Sequence, residues 1–170
     1  MAGPARPFNK GRLLLVWLGL ALIIVVLWLL LRPRPEPEYI EPVAAPKADP
    51  QPIDYYLARG DAARGQAYFS RCAACHSIAP GAPHSIGPNL YGVMGHAIAS
   101  RPDAVYSAAL RDHGGTWDWD TTSRFLQLPR AFAPGTRMTF VGVADPQDRA
   151  DVMLYLNRQG GSLPVPAGAR

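Results

Sequence analysis

The sequence predicts an all-α domain over residues 57–170, preceded by one transmembrane helix and a proline-rich linker. Three observations carry this. Residues 13–31 are apolar without a break except for Gly19. Seven prolines fall between residues 33 and 52. Beyond them no run alternates apolar and polar residues with a period of two, whereas helical spacing and helix-capping residues recur. The averages conceal this partition. A 170-residue chain with 48% hydrophobic residues and a net charge of +4 looks like an ordinary soluble protein. The apolar content excludes disorder throughout, and two cysteines exclude a disulfide-stapled miniprotein.

Residues 1–12 precede the apolar run and carry Arg6, Lys10 and Arg12. The run itself, as a helix, spans about 28 Å, close to the hydrocarbon thickness of a bilayer. Trp17 and Trp28 stand near its ends, where interfacial aromatics are favoured. A cleaved signal peptide has a shorter apolar stretch and a small-residue cleavage site; here the run passes directly into Arg32-Pro33-Arg34-Pro35. No polar face interrupts it, which excludes a half-buried core helix. Three basic residues before the run against Arg32 and Arg34 after it favour a cytoplasmic N-terminus.

Residues 32–56 form the expected linker. Prolines at 33, 35, 37, 42, 46, 50 and 52 disfavour helix and sheet ladders and favour extended polyproline II. Twenty such residues reach about 60 Å when fully extended.

In the domain proper, Asp61 predicts an N-cap for a helix over 62–73. Residues 77–102, rich in Gly, Pro and Ser, read as a long loop, and a loop of that length is ordinarily functional. Short helices are expected near 103–112 and 118–128. The last helix has the strongest signals: Asp145 as N-cap, Pro146 at its first position, Asp148 in its first turn and Gly160-Gly161 at its end. Val152, Tyr155 and Leu156 form its apolar stripe.

The chemistry concentrates in Cys72-Ala73-Ala74-Cys75-His76. The spacing C-x-x-C-H is the attachment signal for a c-type haem. Two thiols three positions apart on a helical turn can reach the two vinyl groups of one haem, and the following histidine can point at the iron. A thioredoxin-like redox pair would need a βαβ context. A structural zinc site would need a second ligand pair, and only His84, His96 and His113 remain. Export of the domain by an anchor agrees with haem attachment outside the bacterial cytoplasm. For a sixth iron position there are four methionines: Met1, Met94, Met138 and Met153. Met138 follows the Pro134-Gly135 turn, some 60 residues after His76.

With these residues in view, the stretch from Gly60 to Leu156 resembles the class I cytochrome c family, in its mitochondrial-like branch. The resemblance implies the class I fold around one covalent haem c. It implies thioether attachment at Cys72 and Cys75, with His76 and Met138 as the iron ligands. Gly87-Pro88-Asn89-Leu90 matches a family segment in which the proline carbonyl (here Pro88) accepts a hydrogen bond from the ligand imidazole. Tyr106, Ser107, Trp117 and Thr136 match residues that bond the haem propionates. His84 matches a structural loop histidine. Gly65 and Phe69 match positions that pack against the last helix near Val152 and Tyr155. Three departures stand out. His96 replaces an arginine near a propionate, Phe125 a tyrosine beside the methionine sulfur, and Leu110 an asparagine of the same polar cluster.

A histidine–methionine pair closes both axial positions and raises the potential, which argues for one-electron transfer, with no catalytic residues and no small-molecule substrate. The resemblance to anchored cytochromes c of α-proteobacteria implies a carrier on the periplasmic face of the inner membrane. It would run from a cytochrome bc1 complex to a terminal oxidase or a photosynthetic reaction centre. A fixed haem subunit of one respiratory complex and, more remotely, a haem peroxidase are the alternatives. Arg71, Arg130 and Arg137 match positions around the exposed haem edge and would dock an acidic partner surface. Nothing in the chain points to nucleic acid.

Overall fold

The structure is a computed structural model that describes residues 10–32 and 46–170. The chain divides into two units, residues 1–41 and 42–170. In the first, α1 runs Lys10–Leu31. Its described side chains, Leu15 and residues 17–31, are exposed. Among the described residues no helix is long and apolar enough to cross a membrane; the apolar run of the sequence begins ahead of those side chains, at Leu13. The expected segment before Lys10 and the linker over 33–45 lie outside the described residues.

The second unit holds α2 (Ile53–Leu57), α3 (Ala62–Phe69), α4 (Ala108–His113), α5 (Trp119–Gln127), α6 (Pro129–Phe132) and α7 (Pro146–Arg158). Among the described residues there is no strand, only an isolated bridge between Ala97 and Thr116. The domain is therefore all-α, as expected.

Several boundaries differ from the sequence reading, each for a local reason. The helix expected over 62–73 stops at Phe69. Asp61 does cap it, accepting from the Ala63 N–H at 2.8 Å. After Phe69 the chain tightens into turns, with the Cys72 N–H on the Phe69 carbonyl at 2.8 Å and the His76 N–H on the Cys72 carbonyl at 3.0 Å. The helix expected near 103–112 begins only at Ala108, because Ser107 is the cap: its Oγ accepts from the Leu110 N–H at 3.3 Å. Asp118 caps α5 through the Thr121 N–H at 2.7 Å. Two short helices were not expected. Pro52, extended at φ −63° and ψ 157°, leads into α2. Ile53, Tyr56 and Leu57 then pack at i, i+3 and i+4, with Leu57 wholly buried. α6 is a single turn opened by Pro129 at its first position.

α7 is the axis of the domain. Asp145 caps it, accepting from the Gln147 and Asp148 N–H groups at 2.7 and 3.3 Å. Ala150, Val152, Met153, Leu154 and Leu156 are buried against α2, α3 and α5. The crossing of α3 over α7 is close enough to demand a glycine. A Cβ on Gly65 would overlap the Asp151 carbonyl oxygen and lie 2.5 Å from its carbon and 3.0 Å from Tyr155 Cβ. One turn on, the Phe69 and Tyr155 rings pack with centroids 5.3 Å apart. The pairing expected at Gly65 and Phe69 is present, with Asp151 as the close neighbour of Gly65. Buried Asp151 ties the crossing further. It accepts from the Asp61 N–H at 2.7 Å, from Arg64 Nε at 2.6 Å and from Gln147 Nε2 at 3.1 Å.

Helix propensity and packing oppose each other at position 65. Alanine gains about 1 kcal/mol over glycine in a helix interior, whereas forcing a methyl into a closed contact costs about 1–3 kcal/mol or more. Backbone is the obstacle, so packing wins. Gly65→Ala is expected to destabilise the domain by about 1–2 kcal/mol in denaturant unfolding; an unchanged or raised midpoint would show that the crossing is looser than described.

Candidate functional site

The end of α3 delivers Cys72, Cys75 and His76 into a cleft of about 340 Å³. The two cysteines are not bonded to each other, and both are half-buried. Burial pushes the Cys72 thiol up from its ordinary value, partly opposed by the Arg71 charge. The long loop supplies the facing wall. Its shape is held by buried Asn89, whose amide donates to the Ala79 and Ala82 carbonyls at 2.9 and 2.8 Å. The side-chain oxygen of Asn89 accepts from the Tyr91 N–H at 2.7 Å. His84 accepts from the Asn89 N–H at 2.9 Å, so it is a loop-bracing residue, as its resemblance implied.

That loop fixes the tautomer of His76. Nδ1 lies 2.7 Å from the Pro88 carbonyl oxygen. A carbonyl can only accept, so Nδ1 carries the proton and the lone pair is on Nε2. Burial pushes the imidazole pKa below its ordinary value, with the Pro88 carbonyl acting in the opposite direction; the ring is thereby kept neutral. Gly87 lies flat against it. A Cβ there would overlap His76 Cε1 and stand 2.7 Å from Nδ1 and 2.9 Å from Nε2.

Met138, Tyr106, Ser107, Trp117 and Thr136 line the same cleft, as do Pro88 and two of the three named arginines, Arg71 and Arg137. Arg130 is exposed on α6 and does not line it. Burial raises the Tyr106 hydroxyl pKa, against the Arg101 backbone N–H and charge. Thr136 Oγ1 accepts from the Met138 N–H at 3.3 Å. The three departures also face the cleft: His96, exposed, and Leu110 and Phe125, both buried. Phe125 packs on Trp117 with centroids 5.0 Å apart, so the expected polar cluster is here an apolar one.

One lining residue was missed from the sequence. Arg101 lines the cleft with His96 and Tyr106, and its guanidinium donates to the Tyr91 carbonyl; no spacing rule singles it out. Met94, one of the four methionines weighed from the sequence, is wholly buried and also reaches the cleft. Its sulfur accepts from Thr122 Oγ1 at 3.9 Å, whereas no such partner engages the half-buried Met138 sulfur among the described residues. The alternative readings of the cysteines gain nothing. Among the described residues there is no βαβ unit, and no three His, Cys, Asp or Glu side chains gather as a metal group.

This site is that of a c-type haem protein. Two thiols, one oriented imidazole and two thioethers, Met138 and Met94, border one cleft with apolar walls, a donor set that fits haem c. The family described as Cytochrome c matches residues 62–159. A cytochrome c homolog of Bradyrhizobium diazoefficiens is 41% identical over 66% of this chain, which spans 62% of that protein's length. Cytochrome c2 of Rhodomicrobium vannielii is 43% identical over 61% of this chain and 83% of its own. Among solved structures, cytochrome cH from Methylobacterium extorquens superposes with a TM-score of 0.55 at 36% identity, covering 58% of this chain and 99% of that one. The chain belongs to the cytochrome c family, whose members are electron-transfer proteins carrying one covalently attached haem c.

Gly87→Ala is expected to push the His76 ring off the Pro88 carbonyl. In the haem-loaded protein, the ¹H NMR signal of the Nδ1 proton should shift and exchange faster with solvent; an unmoved signal would show that the loop absorbs the methyl.

Proposed function

We propose that this chain is a membrane-tethered one-electron carrier of the periplasmic face. The observation that carries the reading is the presence of His76 and Met138 on one cleft with Cys72 and Cys75. When bound, haem c supplies an iron centre that gains and loses one electron. Cys72 and Cys75 would hold it by thioether bonds. His76 would offer Nε2 to the iron, with the Pro88 carbonyl keeping that ring oriented. Met138 would offer its sulfur as a second ligand. With both ligands supplied by the protein no place would be left for a substrate, and a soft thioether would favour the reduced state. Tyr106, Ser107, Trp117 and Thr136 offer polar groups to the propionates. Leu110, Phe125 and Leu126 keep water from the cleft's inner wall.

The tether reading is supported by the sequence: a 19-residue apolar run, basic residues ahead of it and the proline-rich segment that follows. Restricting the carrier to the membrane raises its effective concentration at partners in the same membrane. Those partners are a cytochrome bc1 complex as donor and an oxidase or reaction centre as acceptor. Exposed Arg71 and Arg137 at the cleft mouth suit an acidic docking surface; Arg130 adds charge away from it.

Three outcomes are expected. Met138→Leu removes the iron–thioether charge-transfer absorption of the oxidised protein and lowers its reduction potential, while Met94→Leu preserves both. The opposite pattern would move the axial ligand to Met94. Exchange of residues 1–31 for a cleavable signal peptide, which keeps export, releases a haem-loaded protein from membranes with an unaltered visible spectrum. Pull-down of the full chain after detergent washing recovers its partners below stoichiometry. One-to-one recovery with a single complex would instead make the chain a fixed subunit.

A further inference from the structure

We infer that residues 47–49 are a strap built into the haem domain: their docking slot lies between α5 and α7, and its occupant is this chain's own linker end. The starting point is Arg149. It sits in the first half of α7 with its side chain wholly buried. Three of its N–H directions are met by neutral acceptors: Ser123 Oγ at 3.1 Å from Nε, and the Val143 and Ala144 carbonyls at 2.6 and 2.9 Å from one terminal nitrogen. The other terminal nitrogen pairs with Asp49 Oδ2. Asp49 is the one carboxylate paired with this cation among the described residues.

A buried guanidinium satisfied only by neutral oxygens is a charge taken out of water without compensation. Asp49 removes that penalty, and it comes from a stretch that composition assigns to the linker and that lies outside the family match at 62–159. A second contact fixes the same segment. Gln127 Nε2, at the end of α5, donates to the Lys47 carbonyl at 2.8 Å and reaches Asp49 Oδ1 at 3.4 Å. Backbone and side chain are thus both held, on two helices of the domain.

The consequence concerns reach. The point at which the chain leaves the domain is set by Asp49. The strap itself does not depend on the tether reading, since it concerns only how 47–49 meets α5 and α7; the shortened reach does depend on it.

Trypsin tests it on the full haem-loaded chain in detergent. Arg32 and Arg34 are each followed by proline, so Lys47 is the sole cleavable position between Arg32 and Arg59. Cleavage after Lys47 requires several residues on both sides to enter the protease, hence release of the strap. The wild-type chain is expected to resist cleavage there. Asp49→Ala should be cut roughly tenfold to a hundredfold faster, the range expected for losing a charge-assisted hydrogen bond. Rates are normalised to synthetic peptides of residues 42–53 with and without the substitution, which removes any effect of Asp49 on the protease itself. The visible haem spectrum reports that the domain stays folded. Gln127→Ala should give a smaller acceleration. Equal normalised rates for wild type and Asp49→Ala, or a wild-type rate equal to that of its peptide, would overturn the strap. Membrane retention is unaffected by either result and fails or holds separately, on exchange of residues 1–31 for a cleavable signal peptide.

Discussion

The whole domain depends on how closely α3 can approach α7. At Gly65 the two backbones touch, with no room for a single methyl between the helix and the Asp151 carbonyl. Asp151 then uses its side chain to gather the start of α3, through the Asp61 N–H and Arg64, and the first turn of its own helix, through Gln147. Close approach and buried carboxylate act on one point from two sides. Because α3 runs directly into the turns that carry Cys72 and Cys75, the crossing also sets where the attachment residues stand relative to the core.

The opposite wall of the cleft has no helix to hold it. A loop of twenty-six residues is ordinarily mobile, yet this one is braced from within by side chains replacing a hydrogen-bond ladder. Asn89 makes three backbone contacts and His84 a fourth. The result is a carbonyl, that of Pro88, held at a fixed place against His76. The His76 imidazole is therefore held in one orientation, with its lone pair on Nε2. The inner wall is made drier than the family pattern implies by Leu110 and Phe125, which exchange hydroxyl and amide groups for packing. Arg101 lines the same cleft as His96.

Arg149 gives the domain a second organising charge, remote from the Cys–His motif. It draws together α5, the turn before α7 and the end of the linker, and so moves the edge of the folded unit upstream of the boundary that composition suggests. The end of a proline-rich stretch is held here in a fixed contact by one buried cation.

The sequence by itself determined the all-α class, the capping of α3 by Asp61 and of α7 by Asp145, and the attachment motif. Each of these is local: a cap needs residues two or three apart, and C-x-x-C-H acts within two turns. Only the tertiary structure decided the rest. It ended α3 at Phe69, extended the site loop to Ser107 and started α4 at Ala108, made α2 from residues that composition assigns to the linker, brought Arg101 and Met94 to the cleft, and paired Asp49 with Arg149. These depend on neighbours forty to a hundred positions away, or on competition between a helix and a turn. No local pattern encodes such contacts, since their energy exists only when the distant partner is already in place.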